Sequence, residues 1–519
     1  MKWERWLFVG ALMAGALLRL PQLDLRPMHT DEAVHAIKFG TLLETGTYRY
    51  DKHEYHGPTL NYLTLLPAWL ASERSLTQVT ETTLRIVPVV FGLCLILLFL
   101  LVADLGLQSI VCAAVLTACS PALVFYSRYY IQEMLLVCFA FGLIVMGYRL
   151  ATSGRILWSM LAGVCAGLMC ATKETWLISC GMMGMAFLGV LFLRRREGGL
   201  KVAVSVRNLS TAILCAIVVS VLFYSSFFTH WQGVLDAVLS YETYFTRAGE
   251  NTQHGHPWYY FLQILTFTKG DHGPVWTEAM IVLFGFVGIW SAFKEQAGPQ
   301  EHGRDLRLFL GLYALLMLLV VSVIPYKTPW LVLGALQPLA LVAGFGVTAF
   351  LTWLPRHLRR AGIIAVTLMA GHLAWQAYRA NFSYYDDPVN PYVYSHPTDD
   401  VRLVAVAVKE IAQNSPEGAT VQVICPGDDY WPLPWYLRTL PDVGWWNGVG
   451  EDFVPTGVIL VSPEVEPVLL PGLYEKPSPG QRHLYVPLFS RPMFLRPGKE
   501  IRGYITLELR DKSQKERTE

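Results

Sequence analysis

The sequence predicts an α-helical polytopic membrane protein with a small C-terminal extracytoplasmic α/β domain, and three observations lead there. Of its 519 residues 53% are hydrophobic and only 16% charged, with a mean hydropathy of +0.37, whereas a soluble domain has about 25% charged residues. Apolar runs long enough to cross a bilayer, about 20 residues each, recur about eleven times. After Arg379 the chain turns polar and rich in Pro and Tyr, NFSYYDDPVNPYVYSHPTDD, and then mixes helical and strand patterns to its end. The expected boundary separates a transmembrane domain, 1–380, from a soluble α/β domain, 381–519.

In chain order the runs are 6–23, 84–104, 107–125, 131–149, 156–172, 175–193, 208–228, 274–293, 307–325, 330–354 and 361–379. The stretch 58–71, GPTLNYLTLLPAWL, is shorter and contains Pro67; it reads as an amphipathic helix lying at the interface. With the N-terminus inside, the inner connections carry Lys2 and Arg5, Arg149 and Arg155, Arg194 to Arg196 with Lys201 and Arg207, Lys294 with Arg304 and Arg307, and Arg356, Arg359 and Arg360. That is the positive-inside pattern, and counting 58–71 as a span would invert it. The expectation is a multi-pass plasma-membrane protein with a cytoplasmic N-terminus, and an odd number of spans then places the C-terminal domain outside. The opening MKWER and WLFVGALMAGALL have the outline of a signal peptide, but Arg19 stands where a cleavage site needs small residues, so the segment is read as an uncleaved first span.

In the C-terminal part, DDVRLVAVAVKEIAQ has the period of an amphipathic helix and TVQVICP that of a buried strand, with DDYWPLPWYLR, GVILVSP and YITLELR as further elements. There is no internal repeat, phosphate loop or dinucleotide fingerprint. Of nine cysteines only Cys425 lies outside the apolar runs, which leaves no disulfide framework or zinc pattern. A net charge of +1 without a basic stripe argues against a nucleic-acid partner.

The densest chemistry lies in the first long loop, 24–62. Pro27 and Thr30 read as a helix start with Thr30 as N-cap, so Asp31 and Glu32 fall in the first turn and His35 one turn beyond Asp31. Taken alone, such acids need no catalytic purpose, because the helix dipole favours them by about 0.3–1 kcal/mol. Three short turns on the same outer side add SRYYIQE at 127–133, TKET at 172–175 and PYKTP at 325–329. Singly, Arg128, Lys173 and Lys327 read as interfacial anchors. Together with Asp31, Glu32 and Glu133 they gather acids and cations from four loops at one membrane boundary. That grouping suits reaction on a lipid-linked phosphate: cations neutralise the leaving phosphate and a carboxylate takes a proton from an attacking hydroxyl.

Tyr129, Tyr130, Tyr244, Trp258, Tyr259 and Tyr260 fit sugar stacking and an interfacial aromatic belt equally well, and both readings stay open. His53, His56, His254 and His256 leave a divalent metal open without forming a closed ligand set, so no cofactor is assigned. Ionisable residues inside the spans are scarce, Arg19, Asp104, Glu278 and His372 being isolated or near ends, which disfavours a proton-coupled transporter.

HTDEA at 29–33, YHGPTLNYL at 55–63, SRYYIQEM at 127–134 and the Lys173-Glu174 turn resemble the GT-C superfamily of polyprenyl-phosphate-sugar glycosyltransferases, close to glycosyltransferase family 39. HGHPWYYF at 254–261, PYKTPWL at 325–331, NPYVYSH at 390–396 and WPLPWYLR at 431–438 resemble a prokaryotic subgroup labelled flippase-activity-associated. The resemblance spans nearly the whole chain. It implies a polyprenyl-phosphate-linked sugar donor, a protein, glycan or lipid acceptor, contact with membrane lipids, and inversion at the anomeric carbon. It maps the catalytic acid to Asp31 with Glu32 beside it, and a second acid to Glu133, where many relatives have Asp. Substrate contacts are expected from His35, Tyr55, His56, Arg128, Tyr129, Lys173, Glu174, His256, Trp258, Tyr326 and Lys327. The alternative is a non-catalytic partner of a lipid-linked oligosaccharide flippase or assembly complex. The C-terminal domain is expected to assist acceptor or partner binding.

Overall fold

Each apolar run of the sequence is largely helical in the computed structural model, which describes residues 2–52, 56–195, 205–248, 255–295, 301–413, 420–475 and 482–516. The helices are α1 (Lys2–Arg19), α2 (Thr30–Thr45), α3 (Thr59–Leu70), α4 (Glu81–Leu98), α5 (Leu107–Cys119), α6 (Pro121–Ser127), α7 (Glu133–Ser153), α8 (Ile156–Cys170), α9 (Trp176–Arg194), α10 (Val206–Tyr224), α11 (Gln232–Ala248), α12 (Tyr260–Thr266), α13 (Ala279–Lys294), α14 (Glu301–Val323), α15 (Leu333–Trp353) and α16 (Arg359–Phe382). Among the described residues six helical stretches are long and apolar enough to cross a membrane, and α5 with α6, bent by 59°, forms a seventh candidate. Shorter apolar helices, α8 and α13, account for two more runs.

The chain is a multi-pass membrane protein. Its helix surfaces say why: on α10, Val206, Leu209, Ile213, Leu214, Ile217 and Val218 are all exposed, while only Asn208 and Tyr224 are buried. A stripe of that size belongs against lipid. Helix α3 has 12 residues, about 18 Å at 1.5 Å per residue, well short of a hydrocarbon core about 30 Å thick. It turns Leu66, Trp69 and Leu70 outward and buries Thr59, Asn61 and Thr64, as suits a short helix with an apolar outer face.

The run 107–125 is not one straight span. Pro121 has no N–H and forces Ser120 out of the helical region, to φ −60° and ψ 120°. Ser120 then caps α6 by accepting from the Leu123 amide at 3.3 Å. Elsewhere the bundle closes through glycine: a Cβ on Gly346 of α15 would meet the Phe284 carbonyl of α13 at 1.8 Å, and one on Gly163 of α8 the Ala212 carbonyl of α10 at 2.2 Å.

The chain divides into two compact units. One comprises 1–23, 45–72 and 80–394; the other comprises 24–44, 73–79 and 395–519. The second unit therefore contains α2, the helix of the first loop, together with the C-terminal part. Its remaining helices are α17 (Asp400–Gln413), α18 (Leu433–Leu437), α19 (Glu466–Tyr474) and α20 (Leu507–Glu516).

A two-residue ladder, β1 (Thr268–Lys269) with β2 (Val275–Trp276), belongs to the first unit. The sheet of the second unit runs β4-β3-β5-β8-β6, with β7 also pairing β8; its strands are β3 (Val421–Ile424), β4 (Val443–Trp446), β5 (Val458–Val461), β6 (Tyr485–Pro487), β7 (Met493–Arg496) and β8 (Lys499–Thr506). Strand β3 is parallel to β4 and β5, while β5 and β6 run antiparallel to β8. Strands β3 and β5 are buried at every residue, as parallel strands covered on both faces are. Val465, Leu469 and Leu473, in and just before α19, pack on Ile424, Ile459 and Val461 as a core.

Candidate functional site

In the helical unit the acids and cations of separate loops meet. Glu133 is the first residue of α7 and Lys173 lies in the turn between α8 and α9; the Lys173 ammonium and the Glu133 carboxylate form an ion pair, their side chains 7% and 6% exposed. Burial pushes the Lys173 ammonium down, but the charge and hydrogen bond of Glu133, helped by Tyr326 and Glu174, outweigh it and hold it above the ordinary lysine value. Lys327 donates to the Ile324 carbonyl at 2.5 Å.

The adjacent Glu174 is also built in. His56 presents its backbone N–H at 3.1 Å to one carboxylate oxygen and Nδ1 at 3.0 Å to the other, and the Tyr50 hydroxyl donates at 3.1 Å. Burial pushes the carboxyl up, but the hydrogen bond and charge of His56, its own backbone and Tyr50 bring it down to about 2. The loop reaches this place because Gly57 can lie on the turn: its amide donates to the Thr172 carbonyl at 3.0 Å, and a Cβ there would stand 2.0 Å from the Ala171 carbonyl. His56 itself has φ 71°, a strained conformation for a residue with a Cβ.

Three of the aromatic motifs join in the same unit. Gly255 pairs with Tyr326 in an isolated β-bridge, His256 stacks on Tyr260 at 4.2 Å between centroids, and Tyr394 meets both His256 and Trp330 edge-on. Trp330 also contacts Tyr129 at 5.8 Å. Tyr129 is fully buried and packs in this cluster, whereas Trp258 is 66% exposed. Arg128 lies at the base of the loop. Its guanidinium donates to the carbonyls of Arg19, Pro21 and Gln22 at 3.0, 2.6 and 2.9 Å, and covers the Phe382 ring.

In the second unit, α2 begins at Thr30 and the cap is His29, not Thr30. The His29 carbonyl accepts from the Ala33 amide at 2.9 Å, and His29 Nδ1 accepts from the Asp31 amide at 3.1 Å. Glu32 reaches back to accept the His29 N–H at 3.0 Å, closing a capping box. Glu32 is fully buried, with the Arg26 guanidinium 3.7 Å from its other oxygen. The Asp31 side chain is 46% exposed. The sequence treats the two acids as a pair; the structure gives Glu32 to the helix start and leaves Asp31 half-exposed, one carboxylate oxygen 3.8 Å from His29 Nδ1. His35 is buried on the same helix.

No family model matches the chain, and no curated protein matches it. Solved structures do. The chain superposes on ArnT from Cupriavidus metallidurans bound to undecaprenyl phosphate with a TM-score of 0.61, 14% identity, and coverage of 97% of this chain and 98% of that one. The chain has the GT-C fold. ArnT in the apo state gives a TM-score of 0.58 at 15% identity over 97% and 98% of the two chains, and the Archaeoglobus fulgidus oligosaccharyltransferase complex with zinc and sulfate gives 0.54 at 15% over 89% and 68%.

Within this GT-C fold, Glu133, Lys173, Glu174, His56, Tyr326, Lys327, His256, Trp258, Arg128 and Tyr129 belong to the helical unit, while Asp31, Glu32 and His35 belong to the other. Tyr55, His53 and His254 lie outside the described residues, and the side chain of Tyr244 likewise. Among the described residues no three His, Cys, Asp or Glu side chains group as a metal site requires. Sequence reasoning passed over Tyr50, Trp330 and Tyr394. The last two stand in quoted motifs, PYKTPWL and NPYVYSH, and an aromatic repeated across such motifs is the signal that would have found them.

Proposed function

We propose that the protein is an inverting membrane glycosyltransferase that moves a sugar from a polyprenyl-phosphate donor to an acceptor hydroxyl on the extracytoplasmic face. The buried Lys173–Glu133 pair carries this reading: it sets an ammonium at the ends of α7, α8 and α9, beside Tyr326, in a fold that one neighbour uses while bound to undecaprenyl phosphate. Lys173 and Lys327 meet the donor phosphate, and Glu133 fixes the Lys173 ammonium and keeps it charged. Arg128, taken up by three carbonyls, ties the loop and does not bind the donor. Asp31 is the general base. The acceptor oxygen attacks the anomeric carbon, its proton passes to Asp31, and the bond from the anomeric carbon to the phosphate oxygen breaks with its electron pair leaving on the phosphate. Glu174, held by His56 and Tyr50, anchors the first loop to the turn that carries Lys173, and the exposed Trp258 offers a face for sugar or lipid.

The test is incubation of the purified protein with a panel of labelled polyprenyl-phosphate sugars and acceptor extracts. Transfer of label with inverted anomeric configuration is expected. Tight donor binding with no transfer from any member of the panel would overturn the reading in favour of a non-catalytic partner.

A further inference from the structure

The segment that leads into α2 has no regular structure, so its backbone groups need partners from elsewhere. Within the second unit those partners are side chains of the C-terminal part. Arg402 donates to the carbonyls of Leu25 and Asp24 at 3.0 and 2.5 Å, and the Tyr436 hydroxyl accepts the Met28 amide at 2.8 Å. The His29 and His396 rings lie 5.0 Å apart.

The last of these partners reaches the helix itself. Arg496, at the end of β7, donates from Nη1 to the Thr30 hydroxyl and to the Trp431 carbonyl, both at 3.2 Å, and from Nη2 to Asp429 Oδ1 at 2.5 Å. Lys499, across the hairpin on β8, takes the other oxygen of Asp429 at 2.5 Å. One carboxylate thus faces two cations. The guanidinium stands at the N-terminus of α2, whose first turn carries Asp31 and Glu32. Thr30 is the residue before Asp31, and of the hydrogen bonds described its hydroxyl makes this one to the guanidinium.

We infer that Arg496, braced by Asp429 and Lys499, is a positioning residue for the Asp31 carboxylate. It fixes Thr30, the first residue of α2, and through it the direction in which Asp31 leaves the helix. The C-terminal sheet is thereby part of the catalytic apparatus and does more than receive an acceptor. The inference rests on the reading of Asp31 as general base.

The experiment compares Asp31→Asn, Arg496→Gln, Arg496→Lys, Thr30→Val and the Arg496→Gln/Thr30→Val double variant of the full chain, with a labelled undecaprenyl-phosphate hexose as donor. Arg496→Gln lowers kcat by about 10–100-fold, the scale on which a small misplacement of a reacting group acts, with KM for the donor unchanged. Arg496→Lys recovers part of the loss, Thr30→Val reproduces it, and the double variant is no worse than the poorer single, because both changes break one contact. Thr30→Val removes a single hydroxyl and carries the test if Arg496→Gln does not fold. If both lower the melting temperature and leave kcat per folded molecule at the wild-type value, the contact is structural only and the inference fails while the base survives. If Asp31→Asn turns over normally, the base assignment fails and the inference with it.

Discussion

Arg19 donates from Nη2 to the Thr117 carbonyl at 3.0 Å, the acceptor that Pro121, four residues on, has no N–H to reach. Its Nη1 takes the Ala118 carbonyl at 2.9 Å, and the matching amide, that of Ala122, turns instead to Glu278 Oε1 at 2.9 Å, which the Ser120 hydroxyl also reaches at 2.9 Å. The bend between α5 and α6 therefore leaves its freed backbone groups satisfied by two buried ionisable side chains, one from α1 and one at the start of α13. Both are residues that the sequence shows only as isolated charges near span ends.

Arg19→Leu should accordingly destabilise the helical unit. Each carbonyl left without its donor costs roughly 1–3 kcal/mol in a buried setting. Thermal unfolding of the purified variant in detergent is expected to fall clearly below wild type, with Arg19→Lys intermediate because an ammonium lacks the fork that serves both carbonyls. An Arg19→Leu protein as stable as wild type would remove this account of the bend.

The two acids of the first loop should separate. Asp31→Asn keeps shape and removes basicity, so turnover falls by about 10²–10⁴ while donor binding holds. Glu32→Gln retains an oxygen for the His29 amide and should lose far less. Equal losses in kcat for the two variants would mean that the capping box does not distinguish them.

Lys173→Gln should act on binding. Removal of one charge-assisted hydrogen bond to phosphate weakens donor affinity by about 1.5–3 kcal/mol, read by titrating labelled donor onto the protein. Unchanged affinity with normal folding would take Lys173 out of the donor site.

Glu174 gives a pH signature. Its folded pKa is depressed to about 2 from an ordinary 4.5, so its contribution to stability is fully present above about pH 4.5 and is lost as pH falls toward 2. The contribution is on the order of 3 kcal/mol. The stability difference between wild type and Glu174→Gln should shrink as pH falls through that window, followed by unfolding at stepped pH. A difference that does not change between pH 5 and 2 would contradict the pairing with His56.

Orientation is tested by single introduced cysteines at exposed positions. Asp452→Cys should react with an impermeant reagent in intact cells and Arg356→Cys only after permeabilisation, as the alternation of basic loops requires. The reverse pattern would invert the topology.

Hydropathy by itself determined the membrane class and the helical state of the apolar runs, because lipid demands long apolar segments whatever their neighbours are. The same reading found α17, β3 and β5, whose periods are local properties of the chain. Likewise the turns bearing Glu133, Lys173 and Lys327 were visible as charges between apolar runs. What only the tertiary structure decided is which charge answers which. Arg128 and Lys173 look alike as cations at span ends, yet one is consumed by three backbone carbonyls and the other is paired with Glu133. Asp31 and Glu32 are adjacent acids, yet Glu32 is buried in a cap and Asp31 is half-exposed. The C-terminal part, at separations of 377 residues or more, supplies Tyr436 of α18, Arg402 of α17 and Arg496 of β7 to Met28, Leu25 and Thr30. Local sequence cannot report such partners, because a hydrogen bond is satisfied by whichever group the fold brings within about 3 Å, at any distance along the chain.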